Sequence, residues 1–275
     1  VTPEVVHKAF VQHMGIGTPL FFIASSVEDE GLGDGVIAAW SESAAVDVAP
    51  PEARKRIPFI YTNFGRPGRV VSDTRIEDID TRLVMFGNNV RLNIKRTDFT
   101  HNSVQVSVRL GQGQLDFPEE PFGLGSLMSA FAAGGLEKHS SDDLRAILQG
   151  RVAAARFGAA GNSFGGTYAT TPADLELQLQ LLAAYVTHPG YRPEAERRWR
   201  QSLVLSWPRA DATAQAVWAA RGVRTLVGGD KRVGNDPDDG AAFRSFVELR
   251  HYLAPVLKTG AIEIAAVSYT HLRAH

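Results

Sequence analysis

Apolar and polar residues alternate one for one in two runs of this chain, residues 90–95 and 104–110. Side chains point alternately to the two faces of a β-strand, so this period predicts strands with one buried and one solvated face. A shorter apolar run, residues 83–86, precedes the first of them. Only Gly87-Asn88-Asn89 separates the two, and these residues are typical of a hairpin turn. Three strands of an antiparallel or mixed sheet are therefore predicted between residues 83 and 110.

Helix signals dominate the chain after this sheet. Apolar spacing and capping residues predict helices at residues 122–133, 142–149, 193–205, 212–221 and 241–257. Ser140-Ser141-Asp142-Asp143 has the form of a capping box at the start of the second of these helices. A further strand is predicted at residues 261–267. The order of elements predicts an α+β fold: a mixed, largely antiparallel sheet with helices packed on one face, flanked by parts of further domains.

Residues 175–181 alternate like a strand but contain no β-branched residue. They follow Thr171-Pro172-Ala173-Asp174, which is typical of a helix start. We therefore predict a helix that ends at His188-Pro189-Gly190-Tyr191. Its predicted buried stripe has the helical spacing i, i+4, i+7 and i+11 and consists of Leu175, Leu179, Leu182 and Val186.

The N-terminal part of the chain has a different pattern of predicted elements. Thr2-Pro3-Glu4 predicts a helix that runs to Met14, residues 20–24 predict a buried strand, and residues 35–42 predict a short helix that carries Trp40. Prolines and glycines then recur through residues 46–80, which favours an extended interdomain linker with possible edge strands at Ile57–Tyr61 and Val70-Val71.

Composition excludes several classes of function. The formal net charge is -1, so neither a nucleic acid nor an anionic membrane is expected as a partner. The chain has no cysteine, which excludes disulfides, thiolate metal sites and cysteine nucleophiles. No apolar run reaches the roughly 20 residues of a membrane span. Because the chain begins at Val1, we expect a fragment of a longer protein; residues 268–275 are set aside as a non-native tail.

Four local patterns suggest other sites, and each has a simpler interpretation. The six histidines outside the 268–275 tail include no pair spaced i, i+3 or i, i+4, so a different metal site is not favoured. His139 is interpreted as a loop residue and His188 as a helix-end residue. Gly111-Gln112-Gly113 lacks the third glycine of a dinucleotide loop. The acidic stretch 230–239 contains Pro237 and lacks the glutamate of a calcium loop. The three tryptophans on helices are interpreted as core residues; they are Trp199, Trp207 and Trp218.

The order of several motifs resembles the insulinase/pitrilysin family of zinc metallopeptidases. These motifs, which span about residues 55–267, are Gly87-Asn88-Asn89-Val90-Arg91-Leu92, the Gly111–Gly113 loop, Gly123-Leu124 at a helix start, Thr171–Glu176 and His188–Tyr191. The resemblance implies the end of a preceding family domain at residues 1–45 and a family domain at residues 81–227. It implies the start of a following, C-terminal family domain at residues 228–267.

In the active half of that family, the helix after Gly-Leu carries the zinc motif H-x-x-E-H. Alignment on Gly123-Leu124 places Ser126 and Ala130 at the two histidine positions and Ser129 at the glutamate position. None of these side chains is a zinc ligand or a general base of the required kind. The distal glutamate ligand is also missing, because no Glu occurs between Glu196 and Glu248. We therefore expect neither a metal site nor catalytic residues in this chain.

The family commonly pairs a zinc-bearing first half with a degenerate second half, and the two close around a peptide. The resemblance thus implies that this chain forms the chamber wall of a bacterial, periplasmic enzyme. Its implied partners are the N-terminal catalytic half, which holds the zinc, and a peptide substrate. Ser126 or Ser129 as a nucleophile would require G-x-S-x-G or S-x-x-K, and neither serine lies in either pattern. Two alternatives stay open: a non-enzymatic assembly or scaffold subunit of the same fold, and an unrelated α+β binding domain.

Overall fold

A computed structural model of the chain describes residues 2–14, 19–24, 30–47, 57–97, 100–120, 122–234 and 241–268. The chain divides into two units between residues 54 and 55. The described residues of the smaller, N-terminal unit include two helices, α1 (Pro3–Met14) and α2 (Leu32–Ala44). Both agree with the predicted helices, and α2 extends beyond residues 35–42 at both ends.

The strand predicted at residues 20–24 is wrong. These residues have no strand conformation, and Leu20 is 98% exposed rather than buried. A strand needs a neighbour to satisfy its backbone, and no other strand is present among the described residues of this unit. Phe21 instead packs edge-on against Trp40, with ring centroids 5.5 Å apart.

One mixed sheet of seven strands organises the larger unit. The strands are β1 (Val70–Ile76), β2 (Thr81–Phe86), β3 (Val90–Arg96), β4 (Val104–Leu110), β5 (Gly158–Ala159), β6 (Phe164–Thr170) and β7 (Ile262–Ser268). Their order across the sheet is β1-β2-β3-β7-β4-β6-β5. Only the β3–β7 pair is parallel, so the sheet is mixed and largely antiparallel, as predicted.

Six α-helices lie among the described residues of the larger unit. They are α3 (Leu124–Leu127), α4 (Ser141–Ile147), α5 (Leu175–Thr187), α6 (Pro193–Ser206), α7 (Ala214–Ala220) and α8 (Phe246–Thr259). Ser140 begins α4 with the predicted capping box, and Ser245 begins α8 with a second one. The longest described helices have 14 residues, and none combines the length and apolarity of a membrane span.

The hydrophobic core lies on one face of the sheet. Val104, Val106, Val108 and Leu110 are all buried, whereas the residues between them are exposed or half-buried, which confirms the alternation predicted for β4. Apolar residues of α3, α5, α6 and α8 belong to the same buried cluster. The helices therefore cover the face of the sheet that carries the even-numbered residues of β4, which agrees with the predicted α+β architecture.

The helix predicted at residues 122–133 is broken. Only α3 has α-helical hydrogen bonds, and two 3-10 turns follow at Met128–Ala130 and Ala132–Gly134. The hydroxyl of Ser129 donates a hydrogen bond of 2.7 Å to the carbonyl of Ser126, and such side-chain bonds compete with the helical pattern. Glycines on either side weaken the helix further.

Helix α5 is present as predicted, but the buried stripe is displaced. The buried residues of α5 are Gln178, Leu181, Leu182, Ala184 and Tyr185. Leu179 is 39% exposed, so the predicted stripe points partly to solvent. The cause is Gln178, a polar residue that is fully buried because its side-chain amide forms two hydrogen bonds with the backbone of Ala154, each 2.8–2.9 Å long. Pairing of this kind makes burial of an amide tolerable.

The sheet extends beyond residues 81–227 on both sides. β1 lies within the predicted linker, 46–80, and pairs with β2; it begins at the Val70-Val71 pair named as a possible edge strand, whereas Ile57–Tyr61 form no strand. β7 lies within residues 228–267, which were predicted to start a following domain, and pairs between β3 and β4. Strands β5 and β6 have no counterpart in the prediction.

Candidate functional site

The segment at the zinc-motif positions lies partly in the protein core. Gly123 precedes α3 in a left-handed conformation with φ 85°, which a side chain would disfavour. Ser126 is half-buried and Ser129 is exposed, whereas Ala130 is buried at 5% exposure. Because a change from α-helix to 3-10 turn separates Ser126 from Ala130, the two positions do not share one exposed face. The geometry thus differs from two ligands at i and i+4 of a regular helix.

The donor set at these positions does not fit a zinc ion. Zinc in proteins is bound by imidazole, thiolate or carboxylate groups, and a catalytic site has three such ligands. The segment offers two hydroxyls and a methyl group, and the hydroxyl of Ser129 already donates to Ser126. Within the described residues, no group of three or more histidine, aspartate or glutamate side chains is placed to hold a metal ion.

The other sequence patterns have structural explanations. A Cβ atom at Gly113 would lie 2.3 Å from the carbonyl oxygen of Ala160 and from the backbone nitrogen of Ser163, so close packing requires glycine there. Asp230 pairs with Arg232 at 2.6 Å, and hydrogen bonding from that guanidinium holds the pKa of Asp230 below its ordinary value. Residues 235–240, the rest of the possible calcium loop, lie outside the described residues.

The three helical tryptophans have three different environments. Trp199 is buried and belongs to the core, as predicted. Trp207 is half-buried and packs against the edge of the core. Trp218 is 51% exposed, so its assignment to the core is wrong.

The loop after the motif segment is held by one arginine. The Arg192 guanidinium donates to the carbonyl oxygens of Gly134 and His139 at 3.0 Å each, to that of Glu137 at 3.0 Å, and to that of Leu136. Four carbonyls that converge on one planar cation define the course of residues 134–139. The sequence analysis did not single out Arg192; its only signal was an arginine directly before the N-terminal proline of α6.

His139 is more than a loop residue. It is 4% exposed and lies under residues 57–61: its Nε2 accepts a hydrogen bond of 3.4 Å from the backbone N–H of Ile60, and its ring stacks on Phe59. Tyr61 packs edge-on against the same imidazole, and its hydroxyl accepts from the backbone N–H of Lys138 at 2.9 Å. Residues 57–61 are therefore anchored on the 134–139 loop although they form no strand.

His188 caps the end of α5, as predicted for a helix-end residue. Its Nδ1 lies 2.7 Å from the hydroxyl of Thr187. The His188 ring also contacts the Tyr61 ring, with centroids 5.0 Å apart. The two histidines thus belong to one aromatic cluster around Tyr61, and their geometry is that of packing groups.

We expect the anchor at His139 to weaken in acid. Burial holds the pKa of His139 below its ordinary value; the nearby Asp143 carboxylate opposes this shift, and Arg192 adds to it. The unfolded chain therefore takes up the proton at a higher pH than the folded chain does. The contribution of neutral His139 to the free energy of unfolding is fully present above the ordinary histidine pKa, about 6.5. It is lost as the pH falls through the lower folded-state pKa.

Urea unfolding at pH 7.5 and 5.5 measures this effect. His139→Gln is the matched variant, because its amide oxygen can accept the Ile60 N–H hydrogen bond but does not titrate in this range. The unfolding midpoint of the unmodified protein should fall more between the two pH values than that of His139→Gln. Equal pH dependence of the two proteins would show that His139 is not responsible.

Comparison with known proteins reveals similarity at the level of structure. No protein-family model matches the sequence, and no curated protein matches it either. The chain superposes on PqqL, a periplasmic protease from Escherichia coli, with a TM-score of 0.63 and 14% identity over 86% of its length. The chain has an insulinase-like fold. The first half of PqqL also superposes, with a TM-score of 0.59 and 12% identity over 70% of this chain.

A third similar structure is a mutant of the ferredoxin protease FusC in complex with Arabidopsis ferredoxin. Its TM-score is 0.62, with 12% identity over 91% of this chain. The chain spans 26% of PqqL, 27% of FusC and 43% of the first half of PqqL. At these identities the comparisons define the fold alone. Any functional assignment must be argued from the residues of this chain.

Proposed function

We propose that this chain is the non-catalytic, chamber-forming half of an insulinase-type zinc metallopeptidase. In this proposal, the zinc site of an N-terminal catalytic half hydrolyses the peptide, and the chain encloses the peptide beside it. Location in the periplasm is part of the proposal, supported by the likeness to periplasmic PqqL. The partners are the catalytic half and a peptide or protein substrate.

One observation carries the assignment to the second half. Because a first half of PqqL also superposes on the chain, the fold is compatible with either half. The residues at the motif positions differ from a catalytic half in chemistry and in placement: Ser126 and Ser129 have hydroxyls where a catalytic half has an imidazole and a carboxylate, and Ala130 packs in the core. A metal-dependent half requires ligands at these places.

Complementation tests the proposal. The chain and the zinc-bearing half from the same reading frame or operon are purified separately and mixed with a quenched fluorescent peptide. Hydrolysis should require both halves and should disappear when the H-x-x-E-H glutamate of the partner is replaced with Gln, because that glutamate is the general base. Full activity of the partner without this chain would contradict the proposal. Absence of any H-x-x-E-H partner encoded nearby would favour the scaffold subunit instead.

A further inference from the structure

The sheet has a second face, opposite the helices. Pairing register identifies its residues, because directly opposed residues of neighbouring strands point to the same side. In the central strands this open face consists of Arg91, Asn93 and Lys95 from β3, Glu263, Ala265 and Val267 from β7, Gln105, Ser107 and Arg109 from β4, and Gly165, Thr167 and Ala169 from β6. None of these residues belongs to the hydrophobic core cluster, and all are exposed or half-buried.

Positive charge predominates on the open face. Arg91, Glu263 and Arg109 are opposed in register across three adjacent strands, so they form one row. Strands in a sheet are about 4.8 Å apart, which places the backbones of the two arginines about 10 Å apart. Lys95 lies four residues from Arg91 on β3, about 13 Å along the strand. The central strands thus present three cations and a single carboxylate on this face.

The carboxylate does not neutralise its neighbours. Glu263 accepts a hydrogen bond of 2.7 Å from the side-chain amide of Asn93, the next open-face residue on β3 after Arg91. Within the described part of the chain, Glu263 forms no ion pair with either arginine, and Arg109 and Lys95 form no ion pair at all. The Nε of Arg91 donates a hydrogen bond of 3.4 Å to the sulfur of Met85, and Arg91 forms no ion pair within the described residues. The two guanidinium groups and the ammonium group are therefore available to a ligand.

The remaining residues indicate the kind of ligand. Hydroxyls and amides of Gln105, Ser107 and Thr167 lie beside the cations and can form hydrogen bonds with a peptide backbone. The twelve residues of the open face include no aromatic ring, although single-stranded nucleic acids bind on aromatic stacking platforms. Glu263 in the centre of the charged row would also repel a continuous phosphate backbone. A peptide with separated carboxylates needs no aromatic stacking platform, and its carboxylates can avoid Glu263.

We propose that the open face binds extended peptide segments that carry aspartate or glutamate side chains. Arg91, Arg109 and Lys95 pair with the carboxylates, and the polar side chains between them contact the peptide backbone. The inference rests on the proposed role as a chamber wall, and it adds a preference for acidic substrate segments to that role. The preference is generated by this chain alone.

Fluorescence anisotropy with defined peptides tests this surface. The probes are a labelled peptide in which Glu alternates with Ser and a second peptide in which every Glu is Gln. Three ion pairs at the protein surface should make the chain bind the Glu peptide about fivefold or more tightly than the Gln peptide at low salt. Raising the salt concentration should reduce this preference in the unmodified protein. Equal affinity for the two peptides would overturn the proposal.

Two matched triple variants locate the site. Arg91→Gln/Lys95→Gln/Arg109→Gln should abolish the preference, whereas Lys138→Gln/Arg145→Gln/Arg198→Gln removes the same charge from exposed positions on loops and helices and should retain it. An unchanged preference in the first variant, or tighter binding of a single-stranded oligonucleotide through the same residues, would contradict the proposal. Salt dependence in the unmodified protein remains informative if a variant misfolds. No catalytic half is present in this binding assay. A negative result here would therefore contradict the acidic-peptide proposal without contradicting the complementation result.

Discussion

Replacing Arg192 with Ala is expected to lower the free energy of unfolding by about 2–4 kcal/mol, because charge-assisted hydrogen bonds to several backbone carbonyls are lost together. The carbonyls of Gly134, Leu136 and His139 belong to buried residues, and all three accept from the Arg192 side chain. Water cannot readily replace a guanidinium at buried carbonyls. The 134–139 loop should loosen, and with it the anchor for residues 57–61.

Two control variants make the Arg192 measurement specific. Arg192→Lys retains the charge but cannot reproduce the planar fork of donors, so it should restore only part of the stability. Arg198→Ala removes an exposed arginine from the same helix and should change stability by less than about 0.5 kcal/mol. Chemical unfolding monitored by tryptophan fluorescence gives all three values. If Arg192→Ala unfolds at the same denaturant concentration as Arg198→Ala, the loop is not held as described.

Installing the full zinc motif should damage the fold without creating a zinc site. In Ser126→His/Ser129→Glu/Ala130→His, the second imidazole must occupy a core position that now holds a methyl group. Overpacking of this kind lowers the free energy of unfolding by about 1–3 kcal/mol. The break between α3 and the following 3-10 turn keeps the two imidazoles off a common face, and no distal glutamate is supplied.

Single substitutions separate the contributions to this effect. Ser129→Glu alone should be tolerated, since Ser129 is exposed, whereas Ala130→His alone should account for most of the lost stability. Thermal unfolding and zinc titration followed by calorimetry measure the two outcomes. A triple variant that is as stable as the unmodified protein and takes up one zinc would show that the segment is an intact zinc helix that lacks only its ligands.

Elements with local signals were predictable from the sequence. Alternation predicted β4 and its buried face, and the Ser140 capping box predicted the start of α4. Strand β6 was missed because Gly165 and Gly166 interrupt its alternation and have low strand propensity, although Phe164, Tyr168 and Thr170 are all buried. The displaced stripe of α5 has a similar cause, since burial of Gln178 depends on a distant backbone segment.

Long-range pairing could not be predicted from local patterns. β7 pairs in parallel with β3 and lies in the middle of the sheet, a position that nothing in residues 261–267 specifies. The charged row of the open face depends on that insertion, because Glu263 separates Arg91 from Arg109 only when β7 lies between β3 and β4. Sequence alternation indicated a solvated face on each strand, but only the register brings those residues together.

The anchor around His139 was hidden for the same reason. His139 and Tyr61 are far apart in the sequence, and residues 57–61 lie within the segment predicted to be a linker. Their contact joins the segment before the sheet to the loop that Arg192 holds. The inability of hydroxyl and methyl side chains to replace zinc ligands, in contrast, is predictable from the sequence, because it is a property of the residue type alone.

Zinc stoichiometry is the most direct test of the proposal that this chain forms the chamber wall and that its partner half binds the zinc. The purified protein is incubated with excess zinc, dialysed extensively and analysed for zinc by mass spectrometry against protein concentration. We expect far less than one zinc per chain, because the described residues present no set of three ligands. One tightly retained zinc per chain would contradict the account.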